Sequence, residues 1–334
     1  MKHLINIDWL TLHCEPKTNC EQRMPIISAC YHAELLKYGN RFYKHMLELK
    51  QGKQVVCVIA YCPYSPILPA NSTLIRFDNR VLYMPNLSDI VDRVLGVLGV
   101  SREQCTLSRV DLCCDFNVFD NGMYPLTLIK GLAAHTLRKV GKSKFALYGV
   151  QSSKGNFYTG IRYGVHGSDE SIYLYNKSLE LSQKVDKPYI RDCWVNANLD
   201  AHNVWRLEVS LNPKVKQYVS RETGNIVSLS LDTLFDNLPA LYNCLVLRLW
   251  QIVPVERTDS NVSRARRLPL INVTSAYPLC PLREVSNSSA YDKGVINYLR
   301  NFTDKHFIEE RDSEPGYDEL LNSAAFCIKR ILSK

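Results

Sequence analysis

Residues 171–178 read Ser-Ile-Tyr-Leu-Tyr-Asn-Lys-Ser, and their alternation gathers two phenols and an ammonium. In a strand, successive side chains point to opposite faces. Tyr173, Tyr175 and Lys177 then share one face, while Ile172 and Leu174 take the other. A phenol held beside an ammonium suits attack on a phosphate. A free phenol titrates near pH 10, so at neutral pH it needs help to lose its proton.

Two further runs repeat the pattern with carboxylates. Ser108–Phe116 places Arg109, Asp111, Cys113 and Asp115 opposite Val110, Leu112, Cys114 and Phe116. Val204–Leu211 places Arg206, Glu208 and Ser210 opposite Trp205, Leu207, Val209 and Leu211. Acidic residues are depleted in strands, so three of them on regular strand faces need a reason. One reason is a sheet with a wet face, where Arg109–Asp111 and Arg206–Glu208 are surface ion pairs of little energetic weight. The other is a site assembled from three strands.

The elements that must position these residues belong to an α+β chain. Asn6–His13 alternates as a strand should, and residues 22–52 mix charged and apolar positions at helical spacing. Residues 55–61 and 73–84 are β-rich in composition. Asn86-Leu87-Ser88-Asp89 opens a helix that runs to Gly99, and Pro125 opens another to about residue 137. Strands are expected over 145–150, 156–162 and 171–178, then a long apolar helix over 229–253 with a break near Pro239. No internal repeat is visible in the sequence. The expected architecture is a central antiparallel sheet carrying the active site, flanked by helices, with a helical C-terminal region. The expected organisation is 1–253 for the catalytic part, 254–285 for a basic, Pro-containing linker or arm, and 286–334 for the helical region.

Composition narrows the classes. Forty-one Lys and Arg against 33 Asp and Glu leave a net charge of +8, compatible with a polyanionic partner without requiring one. Twelve cysteines occur without zinc-type spacing. No apolar run suits an export signal or a membrane span, which points to reduced thiols in a cytoplasmic protein. Basic residues cluster at Arg138, Lys139, Lys142 and Lys144, and again at Arg264, Arg266 and Arg267. Both clusters are candidate phosphate contacts; each is equally readable as a solvated loop.

The order of these pieces resembles the replication initiation factor family: initiators of rolling-circle plasmids, related phage proteins, and relaxases of some conjugative elements. The similarity is carried by Asp8-Trp9-Leu10-Thr11, by Ser108–Phe116, by Asn156-Phe157-Tyr158-Thr159-Gly160 with Ser168-Asp169 and Ile172–Lys177, and by Trp205–Leu211. It spans roughly residues 5 to 270. Tyr173 departs from the family, whose members often carry Arg or Lys there. The family shares no His-hydrophobic-His motif with the better-known rolling-circle nickases, and this chain has none.

The resemblance implies metal-dependent nicking of one DNA strand. Tyr175 would become linked to the 5′-phosphate and release a 3′-hydroxyl primer, assisted by Lys177. Asp111, Glu208 and Asp115 would be the oxygen ligands for Mg²⁺ or Mn²⁺, with Asp111 and Glu208 favoured. Arg109 and Arg206 would orient those acids or contact DNA. Implied partners are a double-stranded origin and its nicked single strand, a host helicase and polymerase, and a second copy of the chain; no membrane is involved. The alternatives are a relaxase acting at an origin of transfer, a non-catalytic DNA-binding protein, and a metal-and-water nuclease with a structural tyrosine.

Overall fold

A computed structural model describes residues 3–141, 143–153, 155–165, 170–184, 186–211, 217–220, 226–255, 266–271 and 279–281. All lie within the compact unit spanning residues 1–282. Lys142, Ser168, Asp169, Arg264, most of the 254–285 arm and the whole C-terminal region fall outside the described residues.

The first part of the chain supplies strands β1 (Leu4–Cys14), β2 (His32–Leu35), β3 (Tyr43–Gln51), β4 (Gln54–Pro63) and β5 (Thr73–Phe77). Helix α1 (Met24–Cys30) follows β1, while α2 (Asn79–Leu82) and α3 (Leu87–Leu98) follow β5. Next come β6 (Cys105–Phe116), α4 (Pro125–Ala133), β7 (Leu137–Lys139), β8 (Phe145–Ser152), β9 (Gly155–Tyr163) and β10 (Glu170–Asn176). Helices α5 (Lys177–Gln183) and α6 (Pro188–Asn196) precede β11 (Trp205–Leu211). The remainder comprises β12 (Gln217–Ser220), β13 (Ile226–Ser228), α7 (Leu231–Asp236), α8 (Leu238–Leu249), β14 (Ile252–Pro254) and β15 (Leu279–Pro281).

Ten strands form one sheet in the order β2-β3-β4-β5-β1-β6-β11-β10-β9-β8. Every neighbouring pair is antiparallel. The order hides a duplication. Each half starts with a central strand (β1 or β6), passes through a helix to the outer edge, and returns inward through four successive neighbours. Each half then closes on a helix, α3 or α8, that packs into the core. The sequence shows no repeat because only the topology is shared, not the residues.

One face of the sheet is the core. Ile7, Leu10 and Leu12 of β1, Val110, Leu112 and Phe116 of β6, Ile172 and Leu174 of β10, and Leu207 and Val209 of β11 are all buried there. Burying one such side chain is worth roughly 1.5–3 kcal/mol, and a one-residue slip would turn them all to the other face. That penalty fixes the register, and hence the arrangement of the polar face. Helix α3 buries Val91, Val94, Leu95 and Leu98 and ends at Gly99, whose φ of 69° supplies a left-handed cap. Tyr242 of α8 donates its hydroxyl to the Leu207 carbonyl at 2.8 Å.

Several elements differ from the sequence reading. Within 22–52 only Met24–Cys30 is helical; β2 and β3 occupy much of the rest, with Tyr43, Leu47 and Leu49 buried in a period of two that the interleaved charges obscure. The stretch read as β over 73–84 turns helical at residue 79, where Asp78 caps the backbone N–H of Arg80. The apolar run 229–253 breaks at Asn237 into α7 and α8, and Pro239 sits in the first turn of α8. Residues 266–271, by contrast, follow the arm reading and lie on the body: Leu268 donates to the Ile252 carbonyl, Leu270 accepts from Asp120, and Leu270 and Ile271 are buried. Among the described residues no helix is long and apolar enough to cross a membrane.

Candidate active site

The polar face of the second half carries the chemistry. Antiparallel register sets Tyr173 opposite Glu208 and Tyr175 opposite Arg206, and on the far side of β11 it sets Arg206 opposite Asp115 and Ser210 opposite Asp111. The three strands singled out from the sequence are neighbours, in the order β6-β11-β10, with their polar residues on one face.

Tyr175 is only 6% exposed, yet its hydroxyl lies in a polar pocket. It donates to Glu208 Oε2 at 2.9 Å and accepts from Lys177 Nζ at 3.3 Å. Lys177 is not a strand residue: β10 ends at Asn176, whose side chain caps α5 by accepting from the Leu179 N–H. The lysine is the first residue of that helix and reaches back to the phenol, while also pairing with Glu180 at 2.7 Å.

Burial, reinforced by the charges of Asp8 and Asp111, pushes the Glu208 carboxyl up to about 7. Burial, and then the Glu208 charge, pushes the Tyr175 phenol well above its ordinary value. The phenol is therefore protonated at neutral pH and donates to a carboxylate poised to take a proton. Ionising it requires added positive charge.

The three candidate acids part company here. Asp111 accepts from Arg109 Nε at 3.1 Å, from Arg109 Nη2 at 2.5 Å, and from Ser210 Oγ at 2.5 Å. Asp115 is fully buried, with Arg206 on both oxygens at 2.6 and 2.7 Å and Trp194 Nε1 on one at 2.7 Å. Its assignment as a metal ligand is corrected on burial: Asp115 is enclosed with the fully buried Arg206 and Trp194, whereas Asp111, also bonded by three donors, pairs with the half-exposed Arg109. The assignment of Arg206 to DNA contact is corrected for the same reason. Arg206 is fully buried and spans Asp115, Asp8 (2.7 Å) and the Tyr83 hydroxyl (2.9 Å). It organises the acids from inside.

Asp8 is a site residue that sequence reasoning left unassigned. Between Ile7 and Trp9 the β1–β6 register shifts by one, because Ile7 faces Leu112 while Trp9 faces Asp111. Asp8 is the extra residue of this β-bulge, a device that re-aims side chains. Its carboxylate accepts from Arg206, Tyr83 (2.7 Å) and Asn79 (3.2 Å). Burial opposes its charge, but Arg206, Lys177 and these hydrogen bonds prevail and hold its carboxyl well below the usual range.

The expected cations are scattered. Arg109 stays on the site face, half-exposed, with its guanidinium 4.5 Å from the Trp9 ring. Arg138 and Lys139 lie on β7, paired with β14. Lys139 Nζ sits 5.5 Å over the Tyr163 ring, which faces the core beside Trp250, so this lysine is on the opposite side of the sheet from Tyr175. Burial lowers its pKa. Lys144, Arg266 and Arg267 are exposed.

Among the described residues no three His, Cys, Asp or Glu side chains converge to hold a metal ion. The donor chemistry nevertheless fits a hard divalent cation at Glu208 and Asp111. Both offer oxygens on adjacent strands, and Glu208, whose charge is disfavoured first by burial and then by Asp8 and Asp111, would be favoured in its charged form by a cation.

No family model matches the chain, and no curated protein matches it. Among solved structures it is similar to a rolling circle replication initiator protein from Geobacillus stearothermophilus. The two are 16% identical, over 81% of this chain and 93% of that one, with a TM-score of 0.49.

Proposed function

We propose that the protein nicks and rejoins one strand of DNA to initiate rolling-circle replication, with Tyr175 as nucleophile. The observation that carries this reading is the contact of one phenol with both a carboxylate of raised pKa and an ammonium, on the same sheet face as Asp111. Tyr175 Oη attacks phosphorus and passes its proton to Glu208. The bond from phosphorus to the 3′ oxygen breaks. The 5′-phosphate remains on the tyrosine, and the departing oxygen takes up a proton to become a 3′-hydroxyl that can prime a polymerase. Reversal rejoins the strand. Lys177 stabilises the phenolate or holds a phosphate oxygen. Mg²⁺ or Mn²⁺, if held by Asp111 and Glu208, would supply positive charge to the phosphate.

The test is denaturing electrophoresis of the protein with a labelled single-stranded oligonucleotide and Mn²⁺. A covalent band is expected in wild type and in Tyr173→Phe, and not in Tyr175→Phe. Cleavage without any covalent band would reassign the protein as a water-using nuclease, and a band persisting in Tyr175→Phe would remove this tyrosine from the chemistry.

A further inference from the structure

Aromatic rings continue outward from Tyr175 to the open edge of the sheet. Tyr173 stacks on Tyr175 with ring centroids 4.4 Å apart and planes inclined by 21°. Tyr148 of β8 lies 5.2 Å from Tyr173. The rows are in register: Tyr175 faces Gly160, which faces Tyr148, so all three positions share the site face. Further along the same hairpin Phe157 pairs with Val150, and the two are 56% and 60% exposed, with Tyr148 at 39%.

Two observations argue against plain packing. A row that only buttressed Tyr175 would become more covered toward its end, whereas this one becomes more exposed. Gly160 also keeps the row open, since a Cβ there would lie 2.9 Å from Tyr173 Cε2 and 2.8 Å from the Leu174 carbonyl oxygen. A cation accompanies the rings. The Arg162 guanidinium sits 4.7 Å over Tyr173, and its buried Nε has no hydrogen-bond acceptor among the described residues.

We infer that Tyr173, Tyr148 and Phe157, with Arg162, form a stacking track for unpaired DNA bases that leads the strand to Tyr175. This inference rests on the proposed nicking function and identifies the form of its substrate. Successive rings offer π-faces to bases of any sequence, and the guanidinium behind them offers positive charge to the connecting phosphates. The separation from protein ligands follows from that alternation of rings and cation, which matches a polyanion whose bases are exposed and does not match an apolar helix.

Fluorescence anisotropy of a short labelled oligothymidine, without added metal, tests it. Tyr148→Ala and Phe157→Ala are each expected to bind about tenfold more weakly, and Tyr148→Phe like wild type, because the stack needs the ring and not the hydroxyl. Arg162→Gln should weaken binding with a shallower dependence on salt. Affinities within about twofold of wild type in both alanine variants would overturn the inference, as would an equal loss for duplex DNA. Circular dichroism of each variant excludes unfolding as the cause. The outcome is separable from the nicking test: wild-type binding in the alanine variants alongside an intact Tyr175 adduct defeats the track alone, while impaired binding with no adduct from wild type defeats the nicking chemistry alone.

Discussion

The two halves of the sheet share a path through space and little else. On the site face of the second half, β10 and β11 present Tyr173, Tyr175, Arg206 and Glu208. On the same face of the first half, the corresponding strands β4 and β5 present Val58, Ala60, Leu74 and Arg76, and β3 adds Met46. Bulk is exchanged between neighbours as well: Gly160 faces Tyr175 in one half, whereas Met46 faces Ala60 in the other. The first half is an ordinary packed sheet with a solvent-tolerant face. The second buries a guanidinium, packs acids around it and desolvates Glu208 so that its charged form is disfavoured. The shared topology thus holds both a packed scaffold and a buried electrostatic site, so function here follows from side chains laid on a common frame.

Breaking the charge network should separate the halves most sharply. Arg206→Leu strands Asp115 and Asp8 without their cation, and should lower stability by about 3–5 kcal/mol in urea unfolding. Arg76→Leu, at an exposed position on β5, loses only a 5.5 Å contact with the Trp9 ring and should cost about 0.5–1 kcal/mol. Comparable losses from the two changes would contradict the division of labour between halves.

Next in size is Gly160→Ala. The added methyl meets the Leu174 carbonyl, which cannot rotate away, and should cost about 1–3 kcal/mol while displacing the Tyr173–Tyr175 stack. Thermal denaturation gives the cost, and near-ultraviolet dichroism reports the tyrosines. A gain in stability would show that the glycine is dispensable.

A further effect is a slope with pH. Glu208 titrates near 4.5 when unfolded and near 7 when folded. Between those values the folded state holds the extra proton, so stability falls as pH rises from about 4.5 to 7 and is level beyond. Glu208→Gln should flatten that slope. It should also lower adduct formation, because the proton acceptor is gone. A stability slope left unchanged in Glu208→Gln would assign the titration to another group.

Much of the site was legible in the sequence because strand alternation is a local rule. Val110–Phe116 and Trp205–Leu211 place their apolar residues so regularly that the opposite faces could be written down directly. What alternation does not contain is which residues meet across strands. Asp111 and Asp115 are equivalent by pattern and each accepts three hydrogen bonds; only burial separates them, since Asp115 is enclosed with Arg206 and Trp194 while Asp111 pairs with the half-exposed Arg109. Lys177 looked like a strand end, because the cap formed by Asn176 is a matter of three dimensions. The β3 strand was taken for helix since its polar residues fall on a solvated face at spacings that fit either period.

The bulge at Asp8 has a consequence for the β1–β6 ladder. Ile7 faces Leu112 and Trp9 faces Asp111, so excision of Asp8 alone would leave every other pair of the β1–β6 ladder opposite its present partner. The apolar residues of β1 would stay inward, and the second half would retain Arg206 with Asp115. The site carboxylate of the first half thus stands outside the ladder, and its removal would not re-thread the strand that carries it.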